Sequence, residues 1–491
     1  MTDEMTRRGA RIEGGIDAVI LGAAPDGLAS AALLARAGLH VVLIEKSGAK
    51  TKEKREFAPG YFAEAGDPIA ATLDSKVIDA LDLYRHGLSY SARRLETLVR
   101  FHDGAFLVAP GDPALIGESV AALSDVDAAA FAAFYDNERK TSRSFAEWFA
   151  GGEPPKLPGA LAELVSSSVD GAVAGRFVDS RLEDFIRAEA ALGSAARPAE
   201  PFTYLAFLRR LAGETAGLQG GVAAIEGGAR GLAAALRRAC QAAGVTIRQT
   251  DRVKGVIVEW DRVAGVEFDD GAQIRSPVII SALSARETFI DFVGRSRLDI
   301  EFTRALDIAA PRISAIRAHL AVNGPVADAP VRDNLARRFL LAPAPIEIEH
   351  AYRAARLGQT PHNAIAELIF PSAFDSSLAP QGCSTATLKI HPVADRSLSD
   401  EAWRQSLIDA ARAIFARMAG RAEIAAVDLE DPEPAAPPVA ACFERRARLT
   451  GASGLEGYFF CGPEALVGGG VSLSAGRRAA DRARDYFRKG G

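Results

Sequence analysis

Residues 17–46 constrain this chain more than any other stretch. They run Asp-Ala-Val-Ile-Leu-Gly-Ala-Ala-Pro-Asp-Gly-Leu, continue through an alanine- and leucine-rich segment, and close on Val-Val-Leu-Ile-Glu-Lys. The order is strand, glycine turn, helix, second strand and acid. Gly22 ends the strand Ala18–Leu21 with a tight turn, and the amides after it open a helix whose N-terminus attracts pyrophosphate. Gly27 lets that helix pack closely on the strand. Glu45 ends the strand Val41–Ile44, near the roughly 20-residue spacing expected for an acid that binds ribose hydroxyls. The unit therefore predicts a site for the ADP half of a dinucleotide, with Gly22, Ala23, Ala24, Asp26, Gly27, Glu45 and Lys46 as its candidate residues. Ala24 stands where the fingerprint has its middle glycine, so a methyl group narrows the approach to the pyrophosphate.

At 491 residues the chain is too long for one simple core, and two or more structural domains are expected. Apolar residues make up 48% and charged residues 25%, the balance of a globular protein. A net charge of −5 argues against nucleic acid as a partner. The opening Met-Thr-Asp-Glu-Met-Thr-Arg-Arg has no apolar core, so no secretory signal is expected, and no apolar run reaches the length of a membrane span. Cys240, Cys383, Cys442 and Cys461 form no C-x-x-C pair, and the histidines are dispersed without metal-ligand spacing. Neither a dithiol centre nor a metal site is expected. Lone cysteines fit a reducing cytoplasm.

Strand–glycine–helix signals recur late in the chain. Residues 1–15 are polar and read as disordered, and residues 86–224 read as mainly helical. Gly227-Gly228 precedes a helix over Leu232–Ala242, stopped by Gly244. Strands follow over Val245–Gln249, Val253–Glu259, Arg262–Phe268 and Gln273–Ile280, with a hairpin turn at Asp269-Asp270-Gly271. Ile313–Val322 alternates like a strand, and Glu401–Met418 has one apolar helical face. The last segment reads strand (Tyr458-Phe459-Phe460-Cys461-Gly462), glycine loop (Gly468-Gly469-Gly470-Val471) and helix from about Ser474. This order predicts an α/β cofactor domain assembled from residues 16–85, 225–300 and 450–488, with a substrate domain from 86–224 and 301–449.

Four blocks in this order make the chain resemble the flavin-dependent oxidoreductases of the phytoene desaturase and amine oxidase superfamily. Within it the chain is similar to the branch called pyridine nucleotide-disulphide oxidoreductase domain-containing protein 2. The blocks are the fingerprint with Glu45; Gly213-Glu214, Gly227-Gly228 and Val253 to Ala282; Pro371 to Gly382; and Cys461-Gly462 with Gly468-Gly469-Gly470-Val471 and Gly476-Arg477. The resemblance implies a Rossmann-like fold of the glutathione reductase type, discontinuous, with an inserted mixed α+β substrate domain. It implies FAD as cofactor. It adds backbone contact from Val253 to adenine, and contacts from Ala282, Gly462, Gly469, Gly470 and Val471, the final glycine loop meeting the ribityl chain and ring. The helix after that loop would aim its N-terminus at flavin N1–C2=O. Besides Ala24, the chain lacks the Gly-Gly pair that follows the acid, and Ala465-Leu466-Val467 replaces Thr-His-Pro.

The expected reaction is removal of hydride from a small lipophilic or amine-like substrate. No catalytic acid or base is assigned, and Glu464 reads as an exposed loop residue. Two other readings stay open: a flavin-less relative that binds a protein partner such as a catalytic paralogue, and an isomerase using reduced flavin. The expected location is the cytoplasm, with peripheral membrane contact if the substrate is lipid-like.

Overall fold

The computed structural model describes residues 15–46, 54–64, 66–150, 152, 156, 159–250, 253–308, 313–435, 454–465 and 471–490. Its organising element is a five-stranded parallel sheet. Strand β1 (Ala18–Leu21), helix α1 (Pro25–Arg36) and strand β2 (Val41–Glu45) come first. Helix α2 (Gly228–Ala242) leads into β3 (Thr246–Gln249), and β4 (Val278–Ser281) follows after a crossover. Strand β5 (Tyr458–Phe460) and helix α3 (Ser474–Arg488) close the set. The strand order is β3-β2-β1-β4-β5. Strands β1, β2 and β4 are buried throughout, which is why they read as continuous apolar runs rather than as an alternation. Helices α2 and α3 both pack against α1.

The chain is thus a Rossmann-like α/β fold whose sheet draws strands from three separated stretches. A three-stranded antiparallel meander (Val253–Glu259, Arg262–Phe268, Gln273–Arg275) is inserted between β3 and β4. Here one expectation is corrected. Gln273–Ile280 is not one strand: Gln273–Arg275 stays in the meander and Val278–Ser281 enters the parallel sheet. Pro277 carries no N–H and cannot continue a ladder. Ser276 marks the switch, its hydroxyl donating to Asp17 O at 3.0 Å.

A second, eight-stranded sheet carries the inserted region. Its main path runs Glu423–Leu429, Ile313–Asn323, Ser384–Ala394, Ile365–Ile369, Arg338–Ala342, Thr97–Phe101 and Phe106–Ala109. All neighbours are antiparallel except Arg338–Ala342 with Thr97–Phe101. Residues 86–224 are mainly helical, as expected, but they also carry the strands Tyr90–Ala92, Thr97–Phe101 and Phe106–Ala109, which the helical reading does not contain. A fully buried five-residue strand has no alternation by which to tell it from a helix turn. Helices over Ala128–Arg143, Arg181–Ala191 and Tyr204–Ala212 cover one face, and Glu401–Ala419 packs on the other core cluster.

Candidate cofactor and substrate site

The C-terminal edge of the parallel sheet gathers most of the candidate residues. Gly22 follows β1 at φ +96°, in the left-handed region that suits glycine. A Cβ on Gly27 would lie 2.3 Å from Gly22 O, so only glycine lets α1 start this close to β1. Ala24 is the exposed residue that precedes α1, at φ −61° and ψ 159°, with no side chain capping the helix. The conformation is ordinary for alanine, so replacing the middle glycine costs no backbone strain. Ala23 lies half-buried against the core, and Lys46 is exposed where β2 ends.

Glu45 is buried, and its Oε1 is engaged by Arg237 Nη2 of α2. Its other oxygen, Oε2, is buried and has no hydrogen-bond partner. Ala282, after β4, donates its N–H to Leu21 O at 2.8 Å and packs against Gly27. Gly462, after β5, is held to glycine by packing, since a Cβ there would sit 1.9 Å from Leu283 O. Val253 opens the meander beside Phe268. Val471 reaches a cavity between the two sheets. Gly469 and Gly470 lie outside the described residues, as does the stretch after Lys46.

Asp26 takes a place the sequence did not foretell. Its carboxylate crosses to α3 and accepts the Gly476 N–H at 2.8 Å. Burial pushes this carboxyl up to about 6, against the lowering pull of the Gly476 and Ala475 N–H groups, with Asp74 adding to the rise. Ser472 Oγ accepts the Ser474 N–H at 3.2 Å. These donors at the start of α3 are therefore engaged within the protein. Glu464 is tied down as well, its Oε2 accepting the Ala285 N–H at 3.1 Å.

The uncapped start of α1, the Gly22 turn and the orphaned Glu45 Oε2 together fit an adenosine diphosphate. An uncapped helix start offers N–H groups to phosphate, and a buried carboxylate oxygen without a partner suits a ribose hydroxyl.

The cavity between the sheets has a volume of about 180 Å³ and is open to solvent. Ile69, Ile225 and Leu232 form part of its apolar wall, and none of the described residues lining it is aromatic. Its charged lining is Asp67, Arg209, Arg210, Glu367, Lys389 and Glu433. Arg317 and Lys389 face each other in register, like charges that would repel. Asp67 and Glu433 lie between them. Arg317 holds Asp67 at 2.7 Å and Glu433 at 2.6 Å, while Lys389 Nζ stands 3.7 Å from Asp67 and 3.9 Å from Glu433. Behind them the buried His319 contacts Glu430 at 3.2 Å and Thr387 at 3.1 Å. Burial alone would raise the Glu430 carboxyl, but His319, Arg317 and the Gly66 N–H outweigh it and hold it at about 2. This polar wall was missed by sequence reasoning. Its local signal is a pair of basic residues two apart, Arg317 and His319, inside the mostly apolar strand Ile313–Asn323.

Comparisons with known proteins bear on this geometry. Residues 15–57 match the family model described as an FAD binding domain. The chain is 25% identical to pyridine nucleotide-disulfide oxidoreductase domain-containing protein 2 of Rattus norvegicus, over 94% of this chain and 92% of the rat protein. An oxidoreductase from Methanosarcina mazei superposes with a TM-score of 0.66 at 17% identity, covering 96% of this chain and 100% of the other. A putrescine oxidase superposes with a TM-score of 0.61 at 15% identity, covering 96% of this chain and 99% of the other. Among the described residues, no helix is long and apolar enough to cross a membrane.

Proposed function

We propose that this chain, an FAD-binding member of the flavin-dependent oxidoreductase superfamily that includes the phytoene desaturases and amine oxidases, oxidises a small molecule held in the cavity between its two sheets. FAD, when bound, supplies the hydride acceptor for such a reaction. The observation that carries the reading is the position of Val471. This residue follows the final glycine loop and lines the same cavity as Lys389 and Glu433 of the inserted sheet. A ligand reaching from the β1–α1 turn toward Val471 would thus meet a substrate lying on Lys389 and Leu232.

The residues of the cavity divide the work. Ile69, Ile225 and Leu232 exclude water from an apolar body. Lys389, beyond hydrogen-bond reach of both carboxylates, keeps its donors for a polar handle on the substrate. Asp67 and Glu433, fixed by Arg317, carry the negative charge that would hold a protonated amine nearby. The lining matches a substrate with one polar end and one apolar end, of the lipophilic or amine-like class. The match with a putrescine oxidase is in keeping with an amine at that end. The wall lacks aromatic side chains, so the amine would be held by charge rather than by ring faces.

The test is spectroscopic. Purified protein, as isolated or after reconstitution, is expected to show a flavin spectrum that bleaches under anaerobic addition of an oxidisable amine or lipophilic alcohol. A colourless protein that takes up no FAD would end this reading and leave the partner-binding one.

A further inference from the structure

We propose that Arg237 belongs to the cofactor site and grips the adenosine ribose of FAD together with Glu45; this rests on the FAD reading above. The two side chains come from different elements and meet at the sheet edge. Glu45 ends β2 and pairs in register with Gln249 of β3, and its carbonyl accepts the Thr250 N–H at 2.9 Å. Arg237 lies on α2, the helix that leads into β3. Cys240, almost one turn further along α2, donates its thiol to Leu28 O of α1 at 3.2 Å. That contact locks the α2 face bearing Arg237 against the dinucleotide helix.

The pair is half-satisfied in a complementary way. Nη2 and Oε1 meet, but Arg237 Nε and Glu45 Oε2 are both buried without partners. One is a donor and the other an acceptor. Buried polar atoms in this state are rare in folded proteins, and each calls for a partner. A ribose diol supplies both, because a hydroxyl donates and accepts. Neither orphaned atom is open to bulk water, yet the Arg237 side chain keeps 22% of its surface exposed, room for the guanidinium to turn as the sugar enters. Charge points the same way. The edge already holds two buried carboxylates, Asp26 and Glu45, and a diphosphate adds further negative charge there. A guanidinium against Glu45 offsets that repulsion.

Titration calorimetry of the apo-protein with FAD, ADP and 2′,3′-dideoxy-ADP tests the assignment on wild type, Arg237→Met and Arg237→Lys. Lysine keeps a charge beside Glu45 for the fold but lacks the Nε donor. Both variants are expected to bind ADP and FAD at least tenfold more weakly. The wild-type preference for ADP over its dideoxy form should shrink in both. Should Arg237→Met fail to fold, Arg237→Lys decides alone. Wild-type affinity in the variants, or tighter binding by Arg237→Met, would overturn the proposal while leaving the FAD reading intact. Equal losses for ADP and the dideoxy form would move Arg237 from the ribose to the phosphates and overturn it too. A wild-type protein that binds neither ADP nor FAD would sink both readings.

Discussion

At the scale of single residues, the site turns on Glu45 and Ala24. Glu45 has one oxygen occupied and one waiting, so its charge matters twice, to Arg237 and to the ribose. Glu45→Gln keeps the shape and removes the charge. It is expected to weaken FAD binding about tenfold, the equivalent of ~1.4 kcal/mol. Ala24 sits exposed at the turn with an alanine-compatible backbone, so Ala24→Gly should leave the unfolding midpoint nearly unchanged and tighten FAD binding. Fluorescence titration of both variants reads the two effects, and an Ala24→Gly affinity equal to wild type would show that the methyl does not crowd the phosphates. Glu45, Gly22 and Gly27 were legible in the sequence because their spacing is local. Arg237 was not, because its pairing depends on α2 packing against α1. Lys389 and Arg317 were hidden for the same reason: they adjoin only through strand register, across dozens of intervening residues.

At the scale of elements, the junction of α1 and α3 is a close backbone contact. A Cβ on Gly476 would lie 2.2 Å from Asp26 O, so these helices cross with backbone nearly touching. The Asp26 carboxyl sits inside that crossing, pushed up by burial to about 6 from the ordinary carboxylate value of 3.8. A folded-state value raised above the unfolded one means the folded protein keeps a proton that the unfolded chain gives up. Stability from this group therefore falls as pH rises from about 4 to about 6, and stays lowered above that. Asp26→Asn retains an acceptor for Gly476 and loses the titration. Its gain in unfolding free energy over wild type is expected to grow across that window, up to about 3 kcal/mol, and then level off. Chemical denaturation at pH 4, 5, 6 and 8 measures it, and a difference independent of pH would refute the assignment. At this scale, strands with neighbours of their own kind were legible, as β1 and β2 show. The split at Pro277 was not, since Gln273–Ile280 has no glycine turn and only the proline hints at a change of sheet.

At the scale of the whole molecule, the candidate cofactor residues come from both ends of the chain and from its middle. A ligand that binds such a site binds the folded state alone. FAD at 100 times its dissociation constant should then stabilise the protein by about 2.7 kcal/mol, seen as a raised unfolding midpoint that climbs with FAD concentration. ADP should reproduce part of the shift. A midpoint insensitive to FAD would contradict the site as placed. The inserted region holds itself together separately, through buried ion pairs such as Arg338 with Glu189 and Glu367.

The strand order β3-β2-β1-β4-β5 also sets a timetable for biosynthesis. The βαβ unit leaves the ribosome first, but β1 is a central strand whose second neighbour, β4, is encoded beyond residue 270. Strand β5 and the helix that Asp26 docks against are encoded beyond residue 450. At roughly 5–20 residues per second, the nascent fingerprint waits tens of seconds with an apolar strand edge uncovered. During that interval the chain can hold neither its cofactor nor its last helix. The stretch most diagnostic of the finished protein is thus one whose sheet neighbours and docking helix are completed only near the end of synthesis.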